Sequence, residues 1–483
     1  MMDLSEYADS DALTMAAAVR AGTVTAADLA HLAFEAAARV DPGLNAIREL
    51  YSDRLDPADL PAGGPFAGVP FLLKDLTATE AGRLHESGSL LLKGMVATSD
   101  SAFTRRCRTA GLNIIGRTAS PEFGWSASTE SRLSGITRNP WNLERSAGGS
   151  SGGAAAAVAA GVVPVAHASD GSGSIRNPAG WCGLVGLKPS RGRISNAPGV
   201  GMPPGGRPVQ FIVSRSLRDS AAALDALSGA EPGDPFEIAA PAGGFLAALA
   251  SRRRPLRISW TVTAPSGGPT EPETAEAVRS TARLLDRMGH KVVEAAPVFD
   301  WDQLVEAILT TASAGIAGRI DAIAAQRGLA PSTELLQHTT FAAYQHGKTR
   351  SAADLLAAIA ALDRISRGVA GHYHGFDLHL SPTSTRTAPP HGTHDADARL
   401  ATARAWSDVI HAEDAFLLMA NVTGHPALSV PLHQGSDGLP IGIQLETRFG
   451  GEAQLFALAA ELAEALPWAE RRPGVHVAGP SHG

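Results

Sequence analysis

The sequence predicts an α/β protein, on three observations. Apolar strand-like runs, glycine turns and helical stretches alternate along the chain, the pattern of a sheet covered by helices. Hydrophobic residues make up 44% and charged residues 18% of 483 positions, enough for a large buried core and against global disorder. No repeat of 20–50 residues is visible, so one large domain spanning 1–483, without an independent linker, is expected.

The elements follow in order. Residues 10–41 carry helical periodicity, and Thr25 with Asp28 forms a capping-box pattern at the start of a helix through Leu29, Leu32 and Phe34. Gly63-Gly64-Pro65 breaks it, and Phe66 to Leu76 reads as a buried strand with a flanking turn. A helix and then a strand at Leu112 to Ile115 fill 101–118. Residues 145–153 read as a Gly/Ser loop, 154–161 as a small-residue helix, and 162–169 as a buried strand ending at Asp170. Ala and Leu at helical spacing over 270–375 predict a helical subregion beside the sheet. Strand-like segments return at Asp377–Ser381, Ala427–Pro431 and Pro440–Leu445, and Glu452 to Leu466 closes as a helix.

Composition narrows the function classes. The net charge is −7, and no run of Lys or Arg forms a stripe that would track phosphates, so no nucleic-acid partner is expected. Cys107 and Cys182 are too few for a disulfide framework and suit a reducing cytoplasm. The acidic start MMDLSEYADSDALT lacks the basic and apolar regions of a secretory signal. Nowhere do about 18 consecutive apolar residues occur, which argues against a spanning helix and a membrane partner.

The informative segment is 145–180, where two glycine-rich loops flank one helix and one strand. Read blandly, GGSSGG is a linker, but linkers are not followed at once by an Ala helix and a Val-rich strand. A nucleophile elbow fits Gly148–Gly152 and Gly149–Gly153 as G-x-S-x-G. That motif needs a preceding strand, which Arg145-Ser146-Ala147 is not expected to form. The third reading centres on Asp170-Gly171-Ser172-Gly173-Ser174, between a buried strand and a helix start. Successive N–H groups in such a turn converge into an anion-holding nest, and glycines permit the backbone it needs. Ser174 at its end is the natural nucleophile, with the adjacent N–H groups as an oxyanion hole. A Ser hydroxyl needs a base. Lys74 ends the apolar run Phe66 to Leu73, where desolvation lowers an amine's pKa; a solvated strand-end lysine is the plainer alternative.

The segments GPFAGVPFLLKDL, GRTASPEFG, TRNPWNLERSAGGSSGG, SDGSGSIRNPAGWCGLVGLKPSRGRIS and LPIGIQLE together resemble the amidase-signature family, in its order and over roughly residues 10–470. The resemblance implies a mixed sheet of about eleven strands covered by helices on both faces, and a Ser–cis-Ser–Lys triad. Lys74 matches the family lysine, Ser150 the bridging cis-serine and Ser174 the nucleophile. Gly171, Ser172, Gly173 and Ser174 match the oxyanion-hole turn, and Asp170 and Arg176 the polar pair that props it. Ser150 has the chemistry to relay a proton from Ser174 to a distant amine. Ser151 is either a backbone-bonding support or an ordinary loop serine. Gly124 and Trp125 fall where the family lines its acyl pocket, although a core role for Trp125 is as reasonable. Two departures stand out. Ser172 replaces a usual glycine and would be strained at positive φ, and Arg117-Thr118-Ala119 replaces a common Lys-Thr-Asn.

His391, His394, Asp395 and Asp397 lie close in sequence, but their Pro/Gly-rich loop reads as a solvated turn, so no metal is expected. Cys182 has no adjacent His or cation and reads as core. No nucleotide motif is present, and no cofactor is expected. The expected activity is hydrolysis of a small amide, with carbamate or ester bonds as related substrates. The pattern resembles most the bacterial members that act on small or xenobiotic amides, cyclic nylon-oligomer and aryl-acylamide hydrolases among them. The alternatives are the glutaminase subunit of a tRNA-dependent amidotransferase and an inactive binding protein of the same fold. A homodimer is left open.

Overall fold

The structure is a computed structural model that describes residues 2–479 apart from 58, 59, 62, 203, 204, 252 and 253. Its strands are β1 (Ile47–Leu50), β2 (Pro70–Lys74), β3 (Asn113–Thr118), β4 (Glu130–Ser131), β5 (Gly135–Ile136), β6 (Arg138–Asn139), β7 (Asn142–Ser146), β8 (Val165–Asp170), β9 (Val185–Lys188), β10 (Val209–Ser214), β11 (Arg257–Trp260), β12 (Lys291–Glu294), β13 (Leu378–Pro382), β14 (Ala427–Gln434) and β15 (Pro440–Thr447). Eleven of them form one mixed sheet in the order β1-β3-β2-β8-β10-β9-β14-β15-β13-β11-β12. Both faces of its centre are covered, since β2, β8, β9, β10 and β13 are buried at every position. Phe71, Leu72, Phe211, Ile258, Leu380, Val430 and Ile443 belong to the continuous core around this sheet.

Helix starts obey local chemistry. Thr25 caps Ala26–Leu44 in a full capping box with Asp28, as its spacing predicts. The periodicity over 10–41 resolves into that helix and Ala12–Arg20, separated by a turn with Gly22 at φ +70°. The small-residue helix starts earlier than predicted, at Gly152, and ends at Ala159; the following strand begins only after Pro164.

One expectation fails, and one helical stretch also holds a strand. Arg145-Ser146 does belong to a strand, β7, but β7 pairs with β6 in a two-stranded ribbon outside the main sheet, with a single further bridge from Arg145 to Pro390. The stretch 270–375 is not purely helical. Besides Pro272–Arg287, Trp301–Arg327, His338–Lys348 and Ala352–His372 it contains β12 at the edge of the sheet, parallel to β11. Three of the four β12 residues are exposed, so no apolar run marks it. The helix Trp301–Arg327 is long and apolar enough to cross a membrane by length and composition, yet 56% of its most apolar window is buried in the protein. Leu304 and Ile308 pack with Leu362, Ile365 and Leu418, which ties this helical layer to the chain beyond the sheet.

The geometry that matters lies at the ends of β2 and β8. These strands are parallel neighbours, with Phe71 opposite Val165 and Leu72 opposite Ala166. Their carboxyl ends therefore emerge side by side and carry Lys74 and Asp170 to one place.

Candidate functional site

Lys74 is 1% exposed, and its ammonium nitrogen meets three serine hydroxyls: Ser150 Oγ at 2.7 Å, Ser151 Oγ at 2.9 Å and Ser169 Oγ at 3.0 Å. Three N–H donors thus find three acceptors. Burial pulls the amine down to about 7, against a smaller opposing pull from the Asp170 carboxylate. Ser150 follows a cis peptide bond from Gly149. Ser151 precedes the helix Gly152–Ala159 and also accepts from the backbone N–H of Ser169 at 3.3 Å, so it supports the site rather than decorating a loop. Ser169 is the residue that sequence reasoning missed. It carries no motif of its own, and only the pairing of β2 with β8 brings it to Lys74.

The second loop is built on Asp170. Its carboxylate is fully buried, accepts from Arg176 Nε at 2.9 Å and Nη2 at 3.1 Å, and accepts from Asn421 Nδ2 at 2.8 Å. Burial pushes this carboxyl up, but the Arg176 charge and these hydrogen bonds outweigh it and hold the group at about 2. Arg176 also donates to Leu417 O, Gln444 Oε1 and Asn421 Oδ1, which anchors the turn to the far half of the sheet. The proposed polar pair is therefore one buried ion pair with its hydrogen bonds satisfied.

Within the turn, Gly173 sits at φ +127°, and an added Cβ would lie 2.4 Å from Leu417 Cδ1. Ser172 is not in the positive-φ region, so the strain that its side chain would incur there does not arise. The Gly173 N–H donates to Asp170 Oδ1 at 2.7 Å, which withdraws it from the expected oxyanion hole. Among the described residues, the N–H groups of Gly171, Ser172 and Ser174 have no acceptor and remain available. Ser174 is half-buried and lines the same cavity as Ser150, although no hydrogen bond joins the two hydroxyls.

That cavity has a volume of about 630 Å³. Gly124 and Trp125 line it, along with Phe123, Ile316 and Ile410. Gly124 has φ +70°, and a Cβ there would press on Leu76 at 2.7 Å and on Ser150 Oγ at 3.2 Å. Trp125 both lines the cavity and packs into the core, where its carbonyl accepts from Trp406 Nε1 at 2.9 Å and its ring lies beside Trp406. One wall comes from the helix Trp301–Arg327, which contributes Thr311, Gly315 and Arg319, residues that nothing in the sequence pattern singled out.

The remaining candidates have other employment. His391 Nε2 contacts Leu143 O at 2.9 Å, His394 Nε2 lies 3.2 Å from Glu413, and Asp397 pairs with Arg132 at 2.6 Å. Asp395 accepts from the Asp397 N–H at 2.8 Å, and the loop does not converge on a common point. Cys182 is buried, donates to Ala147 O at 3.4 Å, and burial alone pushes its thiol well above its ordinary value. Arg117, in place of the common lysine, is buried against Asp75 at 3.1 Å and Glu86 at 2.7 Å. His167 accepts from the Lys74 backbone N–H at 3.2 Å, and burial followed by the Lys74 charge pulls it down to about 3.

Known proteins share this arrangement of chain. The amidase family model matches residues 28–456. The 6-aminohexanoate-cyclic-dimer hydrolase of Pseudomonas sp. (strain NK87) is 36% identical over 477 residues, covering 96% of each chain. A solved structure of 6-aminohexanoate cyclic dimer hydrolase complexed with substrate superposes with a TM-score of 0.90 at 34% identity, covering 97% of this chain and 99% of the other. A bacterial aryl acylamidase of the amidase-signature enzymes superposes with a TM-score of 0.82 at 25% identity, covering 95% and 97%. With the family model spanning most of the chain and these enzymes superposing over nearly its whole length, this protein belongs to the amidase-signature family and is a hydrolase of amide carbon–nitrogen bonds.

Proposed function

We propose that the chain cleaves small amides through an acyl-enzyme on Ser174, with Ser150 as proton relay and Lys74 as base. The observation that carries this reading is the 2.7 Å contact of a buried, pKa-lowered Lys74 amine with Ser150 Oγ, at the edge of the cavity that Ser174 lines. A neutral amine has two donors and one lone pair, so one of its three hydroxyl neighbours must turn and donate to it. Ser150 and Ser169 both line the cavity with Ser174, and Ser150, the nearer to the amine at 2.7 Å against 3.0 Å, is read as the relay. As Ser174 Oγ bonds to the carbonyl carbon, its proton passes to Ser150 while the Ser150 proton passes to Lys74. The carbonyl oxygen takes the negative charge against the N–H groups of Gly171, Ser172 and Ser174. Collapse breaks the carbon–nitrogen bond, and the Lys74 proton returns through Ser150 to the leaving amine. Water then releases the acid by the same route.

The apolar walls at Phe123, Trp125, Ile316 and Ile410 favour compact acyl or aryl groups, in keeping with the relatives' named substrates. Carbamates present the same carbonyl–nitrogen bond and fall within this reading. Fluorophosphonate labelling tests it, because only an activated serine reacts. Ser174→Ala is expected to abolish labelling and to lower amide turnover by at least about 10⁴-fold with the fold intact by circular dichroism. Stoichiometric labelling of the variant at another serine overturns the assignment.

A further inference from the structure

Ser172, the departure from the family's glycine, has a partner. Its Oγ accepts from Arg207 Nη1 at 2.9 Å, and the same nitrogen donates to Gly171 O at 3.1 Å. The guanidinium is thereby clamped onto the turn that carries Ser174. Arg207 is 7% exposed and lines the cavity, yet its Nε has no hydrogen-bond partner and its Nη2 donates to none among the described residues. No carboxylate among the described residues lies within ion-pair distance of it. Burial, and then the charge of Arg191, bring it down only to about 10, so it stays charged at neutral pH. A buried guanidinium with free donors and no counter-ion is expensive unless something else neutralises it.

The acids that share the cavity do not serve. Asp170 is committed to Arg176, and Asp414 accepts from Asn177 Nδ2 at 2.7 Å while burial pushes it up to about 7. His411 lines the same wall, and its Nε2 is also without a partner; burial and Arg207 pull it down to about 3, so it is neutral. A second arginine, Arg319, reaches the cavity; it donates to Ser87 Oγ at 2.9 Å, and the Asp75 carboxylate offsets part of its charge. The cavity therefore combines apolar walls with a buried guanidinium, Arg207, that no carboxylate among the described residues pairs.

We propose that Arg207, held by Ser172, anchors a carboxylate on the substrate, so that the preferred amides carry an anionic end. The inference rests on the placement of the reacting carbonyl at Ser174. Planar guanidinium donors match a carboxylate, and a charge-assisted pair formed inside an apolar cavity discriminates strongly against a neutral analogue.

The test compares kcat/KM within two matched pairs. Glutaryl para-nitroanilide against hexanoyl para-nitroanilide places the carboxylate on the acyl side; para-acetamidobenzoate against para-acetamidobenzamide places it on the amine side. The protein is expected to favour the anionic member of at least one pair by about 10²-fold, and the pair that responds tells which side of the scissile bond faces Arg207. Arg207→Gln is expected to bring that ratio down to about one. Ser172→Ala, which keeps the backbone but removes one of the two bonds that hold the guanidinium, is expected to lower it several-fold, and it decides the matter if Arg207→Gln fails to fold. A ratio at or below one in both pairs overturns the proposal, as does a ratio that Arg207→Gln or Ser172→Ala leaves unchanged. Turnover of the neutral members that is lost in Ser174→Ala keeps the Ser174 reading intact whatever the ratios show.

Discussion

Lys74 and Lys188 end two strands of the same sheet, β2 and β9, and both are buried. Burial comes first in bringing each amine down to about 7. Their surroundings differ. Lys74 meets three serine hydroxyls, two of which line the cavity. Lys188 donates to the carbonyl of its neighbour Pro189 at 2.8 Å, and the Arg176 charge adds to the effect of burial. A depressed pKa thus reports desolvation, and what sets Lys74 apart is the set of hydroxyls and the cavity beside it, the surroundings that the proposed relay requires. Even the local sequences, Leu-Leu-Lys and Gly-Leu-Lys, are nearly alike.

The sharpest break in this comparison is the pair Lys74→Ala and Lys188→Met. An amine that must be neutral to accept a proton makes kcat/KM rise with pH through an ionisation near 7 and then level off. Lys74→Ala is expected to remove that ionisation and to slow acylation by about 10⁴-fold, because the relay acts as a unit. Lys188→Met is expected to retain the ionisation, since its amine contacts no hydroxyl of the relay. A pH–rate profile of each variant decides between them, and an ionisation lost from Lys188→Met would reverse the assignment.

Gly173→Ala tests the turn instead of the base. The new Cβ meets Leu417 at 2.4 Å in a backbone region that alanine avoids, so the turn must shift. Turnover is expected to fall by roughly 10²-fold with labelling slowed in proportion, on the scale of losing one oxyanion donor. Equal loss of thermal stability and activity would mean that the turn matters to folding alone.

Ser169→Ala is the mildest change. It removes one acceptor from the charged form of Lys74 and none from the bond to Ser150. The charged form is disfavoured, so the ionisation in the pH–rate profile is expected to move below about 7, while the plateau rate falls about 10-fold or less. A shift to higher pH would show that Ser169 is not an acceptor for the ammonium.

Local features were readable because short-range chemistry produces them. Thr25 and Asp28 are three residues apart and meet in one capping box, and the glycine turn at Gly171–Ser174 is closed largely by Asp170 beside it. The resemblance supplied the assignment of Ser150, which spacing from Lys74 alone does not. The edge strand β12 and the ribbon strand β7 escaped because edge positions have no buried face to impose a pattern.

What the sequence by itself determined is therefore the α/β alternation, the two glycine loops and the strand-end lysine with its desolvating run. Tertiary structure alone decided which hydroxyls meet that lysine, which N–H groups stay free for an oxyanion, and which charges face the cavity. Lys74 reaches Ser169 across 95 residues, Arg207 reaches Ser172 across 35, and Arg176 reaches Gln444 across 268. Such contacts depend on the order of strands in the sheet and on the docking of the helix Trp301–Arg327, and no local periodicity encodes either.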